Sequence, residues 1–179
     1  MIIDQHKTIF VHIPKNAGTS IEKYFGNGSV RIQPNKHADI HEIKKKFKNS
    51  YNNYRKFTII RNPYDKMVSW YFYLKRNLGE HHEVLEFNEW IKNPFKLWHI
   101  DDPIRFLDPQ YTWIDETVVL IKYENLYKEL NQFFGEKINL LVTNKSNHNN
   151  YLDYYNKESL DIIYNRYKKD FTKFNYKKL

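Results

Sequence analysis

Thr8-Ile9-Phe10-Val11-His12-Ile13-Pro14-Lys15-Asn16-Ala17-Gly18-Thr19-Ser20 is the stretch that decides the fold. Thr8–Ile13 is a short, continuously apolar run, read as a buried strand. A tight Pro-Lys-Asn-Ala-Gly turn follows. Thr19 or Ser20 then caps a helix whose apolar side is Ile21, Tyr24 and Phe25, and Gly26-Asn27-Gly28 ends it.

The same construction recurs along the chain. Phe57-Thr58-Ile59-Ile60 reads as a second buried strand, with Asn62 as N-cap and Pro63 at the first helical position, where a missing N–H costs nothing. The helix that follows places Met67, Trp70, Tyr71, Leu74 and Leu78 on one stripe. Thr117–Ile121 is a third strand, followed by a helix carrying Leu126, Leu130, Phe133 and Phe134 and stopped by Gly135. Between the first two strands, Asp39 and Glu42 form a capping box ahead of a helix with Ile40, Ile43 and Phe47 inward. A last helix near Lys157–Phe171 buries Leu160, Ile163, Tyr164 and Tyr167. The polar stretches Lys44–Lys56 and Thr143–Asn150 read as loops or helix ends.

Strands that are apolar throughout, alternating with helices, predict an α/β chain: three layers, α/β/α, around a central, mainly parallel sheet. No repeat or linker divides residues 1–179, so a single domain is expected. Ligands in such folds bind at the carboxyl ends of the strands. Attention therefore falls on two strand-to-helix junctions, His12–Ser20 and Arg61–Ser69.

Composition narrows the classes. With no cysteine among 179 residues, disulfide frameworks and thiolate metal sites are excluded. The net charge of +8 favours anionic ligands without choosing among nucleic acid, polysaccharide, phosphorylated cofactor and acidic membrane. The first residues do not read as a signal peptide, and no apolar run approaches the ~20 residues of a membrane span. A soluble, cytoplasmic or otherwise intracellular protein is expected.

The first junction has the architecture of an anion site. Helix-start N–H groups and the helix dipole face the ligand, Lys15 adds a full charge, and Thr19 and Ser20 add hydroxyls. The spacing is not that of a nucleoside-triphosphate loop, because Lys15 precedes Gly18 rather than following it. At the second junction, Arg61 stands at a strand end and can hold a phosphate with its bidentate fork. Ser69 lies about two turns into the helix, on the face shared with Lys66 and Tyr73.

Together the junctions resemble the sulfotransferase family, specifically its carbohydrate sulfotransferase branch. His12–Ser20 is similar to the family's 5'-phosphosulfate loop, and Arg61–Tyr71 to its 3'-phosphate motif. Weaker similarities are Lys36-His37-Ala38-Asp39, Asp108-Pro109-Gln110-Tyr111, Tyr123-Glu124-Asn125-Leu126, Asn144-Lys145-Ser146 and Asp170-Phe171. The chain departs from the family in having Asn16-Ala17-Gly18 where two glycines are common, and Lys66 where an arginine is common.

The resemblance implies a P-loop-NTPase-like sulfotransferase fold. It also implies an enzyme that moves the sulfuryl group from 3'-phosphoadenosine-5'-phosphosulfate (PAPS) to an acceptor hydroxyl, releasing PAP. The acceptor is expected to be a saccharide, and no metal is required. Lys15 would neutralise the bridging oxygen. Asn16, Ala17, Gly18, Thr19 and Ser20 would hold the 5'-phosphate, Arg61 and Ser69 the 3'-phosphate, and Lys145 and Ser146 would close over the nucleotide. His37 is the first choice of general base, because imidazole titrates near neutrality; Asp39, His41 and Glu42 are its rivals. Two other readings stand beside this one: a small-molecule kinase with a related loop, and a non-enzymatic polyanion or nucleic-acid binder.

Overall fold

A computed structural model describes residues 1–26, 30–31, 37–77, 85–93, 105–141 and 149–179. By internal contacts the chain divides into two compact units. The first comprises Met1–Arg61 and Gln110–Asn144, the second Asn62–Pro109 and Lys145–Leu179.

The first unit is built on a sheet. Its strands are β1 (Ile2–Ile3), β2 (Thr8–Val11), β3 (Val30–Arg31), β4 (Arg55–Ile60) and β5 (Val119–Lys122), in the order β3-β1-β2-β4-β5. β2, β4 and β5 run parallel, with Phe10 opposite Phe57 and Thr58 opposite Leu120, while the two-residue strands β1 and β3 add antiparallel pairings at one side. Thr8–Val11 is buried at every position, and so is β4 from Phe57 to Ile60, as expected of strands covered on both faces. The protein is thus α/β with a mainly parallel central sheet.

Helices α1 (Gly18–Phe25), α2 (Ile40–Lys46), α3 (Lys48–Asn53) and α6 (Leu126–Phe134) belong to this unit; α4 and α5 lie between them in the chain and in the other unit. Ile21 and Phe25 of α1 join Phe10, Phe57, Ile59, Ile121 and Leu130 in one core, with Phe133 and Phe134 packed against it. The Asp39–Glu42 capping box forms as the sequence requires, the Asp39 carboxylate accepting from the amides of His41 and Glu42. Gly135 ends α6 in the left-handed region at φ 74°, its N–H bonded to the Asn131 carbonyl.

The second unit contains α4 (Pro63–Asn77), α5 (Phe87–Trp90), α7 (Lys157–Arg166) and α8 (Lys168–Lys173). Asn62 Oδ1 accepts from the Tyr64 amide at 3.0 Å, the side-chain cap expected ahead of Pro63. Met67, Trp70, Tyr71 and Leu74 of α4 form the core with Phe87, Trp90, Ile163, Tyr167 and Phe171. The expected fifth position of that stripe, Leu78, lies outside the described residues.

Four expectations are corrected. Neither Thr19 nor Ser20 caps α1; the helix begins earlier, at Gly18, with Ala17 at the N-cap and no side-chain cap. Tyr24 is exposed rather than inward, because Ile21 and Phe25 already fill the buried side of so short a helix. The third strand starts at Val119, since the Asp115 carboxylate captures the amide and hydroxyl of Thr117 in a local turn. The last helix breaks at Tyr167, whose φ −110° and ψ 22° separate α7 from α8, and its phenol is drawn inward to the Leu107 carbonyl at 2.9 Å. Within the polar stretch 44–56 there is also a short helix, α3, anchored by the buried Ser50 and Tyr51.

Candidate functional site

Beyond Val11 the chain leaves the sheet through the loop His12–Ala17. Pro14 and Asn16 are buried, Lys15 is half-buried, and two non-glycine residues adopt the left-handed region, Lys15 at φ 67° and Ala17 at φ 58°. Each such residue costs on the order of 1–3 kcal/mol, and such strain persists where the surroundings enforce it. Backbone that changes hand at neighbouring residues turns its N–H groups into one concavity, the geometry of an anion-binding nest. The helix that opens at Gly18 without a side-chain cap adds the positive end of its dipole. Ala17 therefore takes the conformation for which glycine is the usual residue.

Gly18 is needed for a different reason. It is helical, but the His12 imidazole lies against its Cα, and a Cβ there would overlap Nε2, Cδ2 and Cε1 of that ring. His12 is itself held: Nδ1 donates to Glu22 Oε1 of α1 at 2.8 Å, and the ring stacks on Phe10 with centroids 5.6 Å apart.

His37 joins this group. Its ring centroid is 4.4 Å from that of His12, and its Nδ1 lies 3.2 Å from the His12 carbonyl oxygen. A carbonyl only accepts, so Nδ1 carries the proton and the lone pair of the neutral ring is on Nε2. His37 is half-buried. Of its rivals, Asp39 and Glu42 are engaged in the α2 capping box, whereas His41 is exposed on the same helix.

Arg61 follows the last residue of β4 and is 6 % exposed. Its Nη1 donates to the Lys15 carbonyl at 3.0 Å, and its guanidinium lies over the Tyr123 ring at 4.2 Å from the centroid. The loop is bound to β4 a second way: Asn16 Nδ2 donates to the Ile59 carbonyl and to Gln110 Oε1, each at 2.7 Å. Gln110 in turn pairs with the Arg61 backbone, Oε1 accepting its N–H at 3.0 Å and Nε2 donating to its C=O at 2.8 Å.

The first unit thus brings together Lys15, Asn16, Ala17, Gly18, Thr19, Ser20 and Arg61, with His37 against the His12 end of the loop. Thr19 is half-buried and Ser20 is 7 % exposed. Ser69 belongs to the second unit, where it is buried on α4 one turn beyond the buried Lys66, while Tyr73 on the same face is exposed. Lys145 and Ser146 lie outside the described residues. Among the described residues no group of three or more His, Cys, Asp or Glu side chains is placed to hold a metal ion, and no helix is long and apolar enough to cross a membrane.

His12, Gln110 and Tyr123 lie in segments that carry the family resemblance, but three contacts they make were not legible. The His12–Glu22 pair links the loop to α1 across a turn, where no helix or strand period relates the two positions. The stack of Arg61 on Tyr123 and the role of Gln110 depend on tertiary contact alone.

Compared with known protein families, the model described as the sulfotransferase family matches residues 1–132, a span that holds the loop, His37, Arg61, Ser69 and Gln110. Comparison with curated proteins and with solved structures finds no match. A family match over well more than half of the 179 residues, on a mainly parallel α/β sheet, places this chain in the sulfotransferase family.

Proposed function

We propose that the protein transfers the sulfuryl group of PAPS to an acceptor hydroxyl, with a saccharide as the acceptor class. The observation that carries this reading is the loop 12–18, with its left-handed Lys15 and Ala17, its uncapped helix start and its bond to Arg61. Such a concavity suits a terminal phosphosulfate, and Arg61 suits a second phosphate on the same nucleotide.

In this mechanism the sulfur–oxygen bond to the 5'-phosphate breaks, a bond to the acceptor oxygen forms, and the acceptor proton passes to a base. Lys15 offsets the charge that grows on the bridging oxygen, and the amides of Gly18 and Thr19 hold the leaving phosphate. His37, protonated at Nδ1 by its bond to the His12 carbonyl, receives the proton at Nε2. By the family resemblance, the 3'-phosphate is assigned to Arg61 and Ser69, and closure over the nucleotide to Lys145 and Ser146. Charge stabilisation comes from lysine, arginine and helix amides, so the reading assigns no role to a metal.

Calorimetry with PAP and with ADP tests the donor. PAP is expected to bind at least about tenfold more tightly, which corresponds to about 1.4 kcal/mol for the added 3'-phosphate contacts. Transfer of radiolabelled sulfate from PAPS across saccharide, lipid, peptide and small-alcohol acceptors tests the acceptor class. Lys15→Ala is expected to keep the fold and to lower turnover at least about 100-fold. Equal affinity for PAP and ADP, or near-normal turnover in a folded Lys15→Ala protein, overturns the proposal.

A further inference from the structure

We propose that Gln110 is a positioning residue of the donor site, fixing the distance between Lys15 and Arg61; this rests on the donor reading above. β2 ends at Val11, opposite Thr58, whereas on its other side β4 stays paired as far as Ile60 with Lys122. Past the end of β2, the backbone of β4 is taken up by side chains. Asn16 bonds the Ile59 carbonyl, and the Gln110 carboxamide bonds both the N–H and the C=O of Arg61. Gln110 therefore acts as a one-residue continuation of a strand for a residue that the ladder no longer holds.

The carboxamide is suited to this by chemistry and not only by shape. It needs an acceptor facing the Arg61 amide, a donor facing the Arg61 carbonyl, and a second acceptor lone pair for Asn16 Nδ2. Asn16 and Gln110 are both fully buried, so these bonds are not shared with water. Asn16 is the neighbour of Lys15 in the loop, and the Lys15 carbonyl closes the circuit by accepting from Arg61 Nη1. Asn16–Gln110, Gln110–Arg61 and Arg61–Lys15 hydrogen bonds, with the Lys15–Asn16 peptide bond, close one ring in which Asn16 and Gln110 are 94 residues apart in sequence. Glutamate at 110 would turn an oxygen toward the Arg61 carbonyl, and a shorter side chain would not span the two contacts.

The link holds the group that stabilises the breaking bond against the group that holds the far phosphate. A displacement of about 1 Å between such groups costs on the order of 100-fold in rate. Gln110 touches neither donor nor acceptor in this arrangement and acts through Arg61 and the loop.

The test uses the full chain with Gln110→Met, which keeps length and apolar volume while removing these three bonds, and with Asn16→Ala, which removes the other end of the link. One arm is independent of donor chemistry. Hydrogen exchange at the amides of residues 15–20, without nucleotide, is expected to quicken at least about tenfold in either variant. The second arm measures release of sulfate from PAPS to water at saturating PAPS. Here kcat is expected to fall at least about tenfold in each variant, and the double variant is expected to lose little more than either single one. Unchanged loop exchange overturns the link. Faster exchange with kcat and KM both within about twofold of wild type reduces Gln110 to a structural residue and also overturns the proposal. A wild-type protein that neither binds PAP nor consumes PAPS overturns the donor reading instead, and the exchange arm still decides the link. If Gln110→Met does not fold, Asn16→Ala is read by the same two arms.

Discussion

At the scale of single residues, the loop 12–18 is governed by what a few side chains permit. Gly18 is the clearest case. Its glycine is demanded by the His12 ring rather than by backbone hand, since Gly18 is helical while Lys15 and Ala17 carry the positive φ values. Gly18→Ala therefore over-packs a buried contact, and a loss of about 1–3 kcal/mol in unfolding free energy is expected. The same substitution made on His12→Ala should cost much less, because the imidazole that a Cβ would strike is gone. Urea unfolding of the four proteins in that cycle is expected to give a coupling of at least about 1 kcal/mol, and additive losses would show that the ring does not set the requirement. That Lys15, Gly18 and Arg61 stand at strand-to-helix junctions was legible, because a strand end running into a helix start is a local pattern. That Gly18 answers to His12, and Asn16 to Gln110, was not, because those constraints act through space between residues with no shared periodicity.

At the scale of elements, the sequence was legible wherever a local physical signal was strong. Caps at Asp39 and Asn62, the stop at Gly135 and the apolar runs of β2 and β4 all form where the residues require them. The failures occur where tertiary bonds override local preference. The break at Tyr167 follows from a buried phenol reaching the Leu107 carbonyl, and α3 is held by Tyr51, whose phenol donates to Asp115 Oδ2 at 2.7 Å. Asp115 is accordingly the residue on which the α3 contact and the start of β5 both depend. Partial burial alone would raise its carboxyl, but hydrogen bonds from Thr117 and Tyr51 outweigh that and hold it below the ordinary value. A carboxyl depressed in the folded state stabilises the fold above its unfolded pKa of about 3.9, and this stability is lost as pH falls through the folded value. Asp115→Asn is expected to cost about 1.5 kcal/mol at pH 7, the low end for hydrogen bonds to a charged acceptor, and much less near pH 3. Urea titrations at the two pH values measure the difference, and a gap that does not narrow in acid would rule out the charge as its source.

At the scale of the whole molecule, internal contacts group the chain into two compact units whose chain crossings fall at Arg61–Asn62, Pro109–Gln110 and Asn144–Lys145. No glycine- or serine-rich segment marks these crossings, which is why composition does not reveal them. Gln110 bonding Arg61 thus joins two residues that stand at exits from the first unit, an association only the folded chain creates. Part of the positive charge behind the net +8 lies on residues outside the candidate site. Lys44, Lys45, Lys46 and Lys48 are exposed around the end of α2 and the start of α3, and none has an ion pair among the described residues. Lys44, Lys45 and Lys46 sit where a helix C-terminus favours cations, so they are tolerated without an ion pair, Lys44 lying over the Tyr51 ring. Exposed lysines of this kind attract any polyanion by counterion release, with a salt slope of nearly one unit per phosphate neutralised. Replacing the four with glutamine is therefore expected to weaken retention on duplex DNA or on a sulfated dextran and to lower its salt slope by up to about one unit per lysine removed. PAP affinity should stay within about twofold, because the donor site proposed above draws its charge from Lys15, Arg61 and the α1 amides. Calorimetry with PAP and salt titration with the polyanion, on the same quadruple variant, separate the two. A parallel loss of both would mean that the general positive field, and not the built loop, binds the nucleotide.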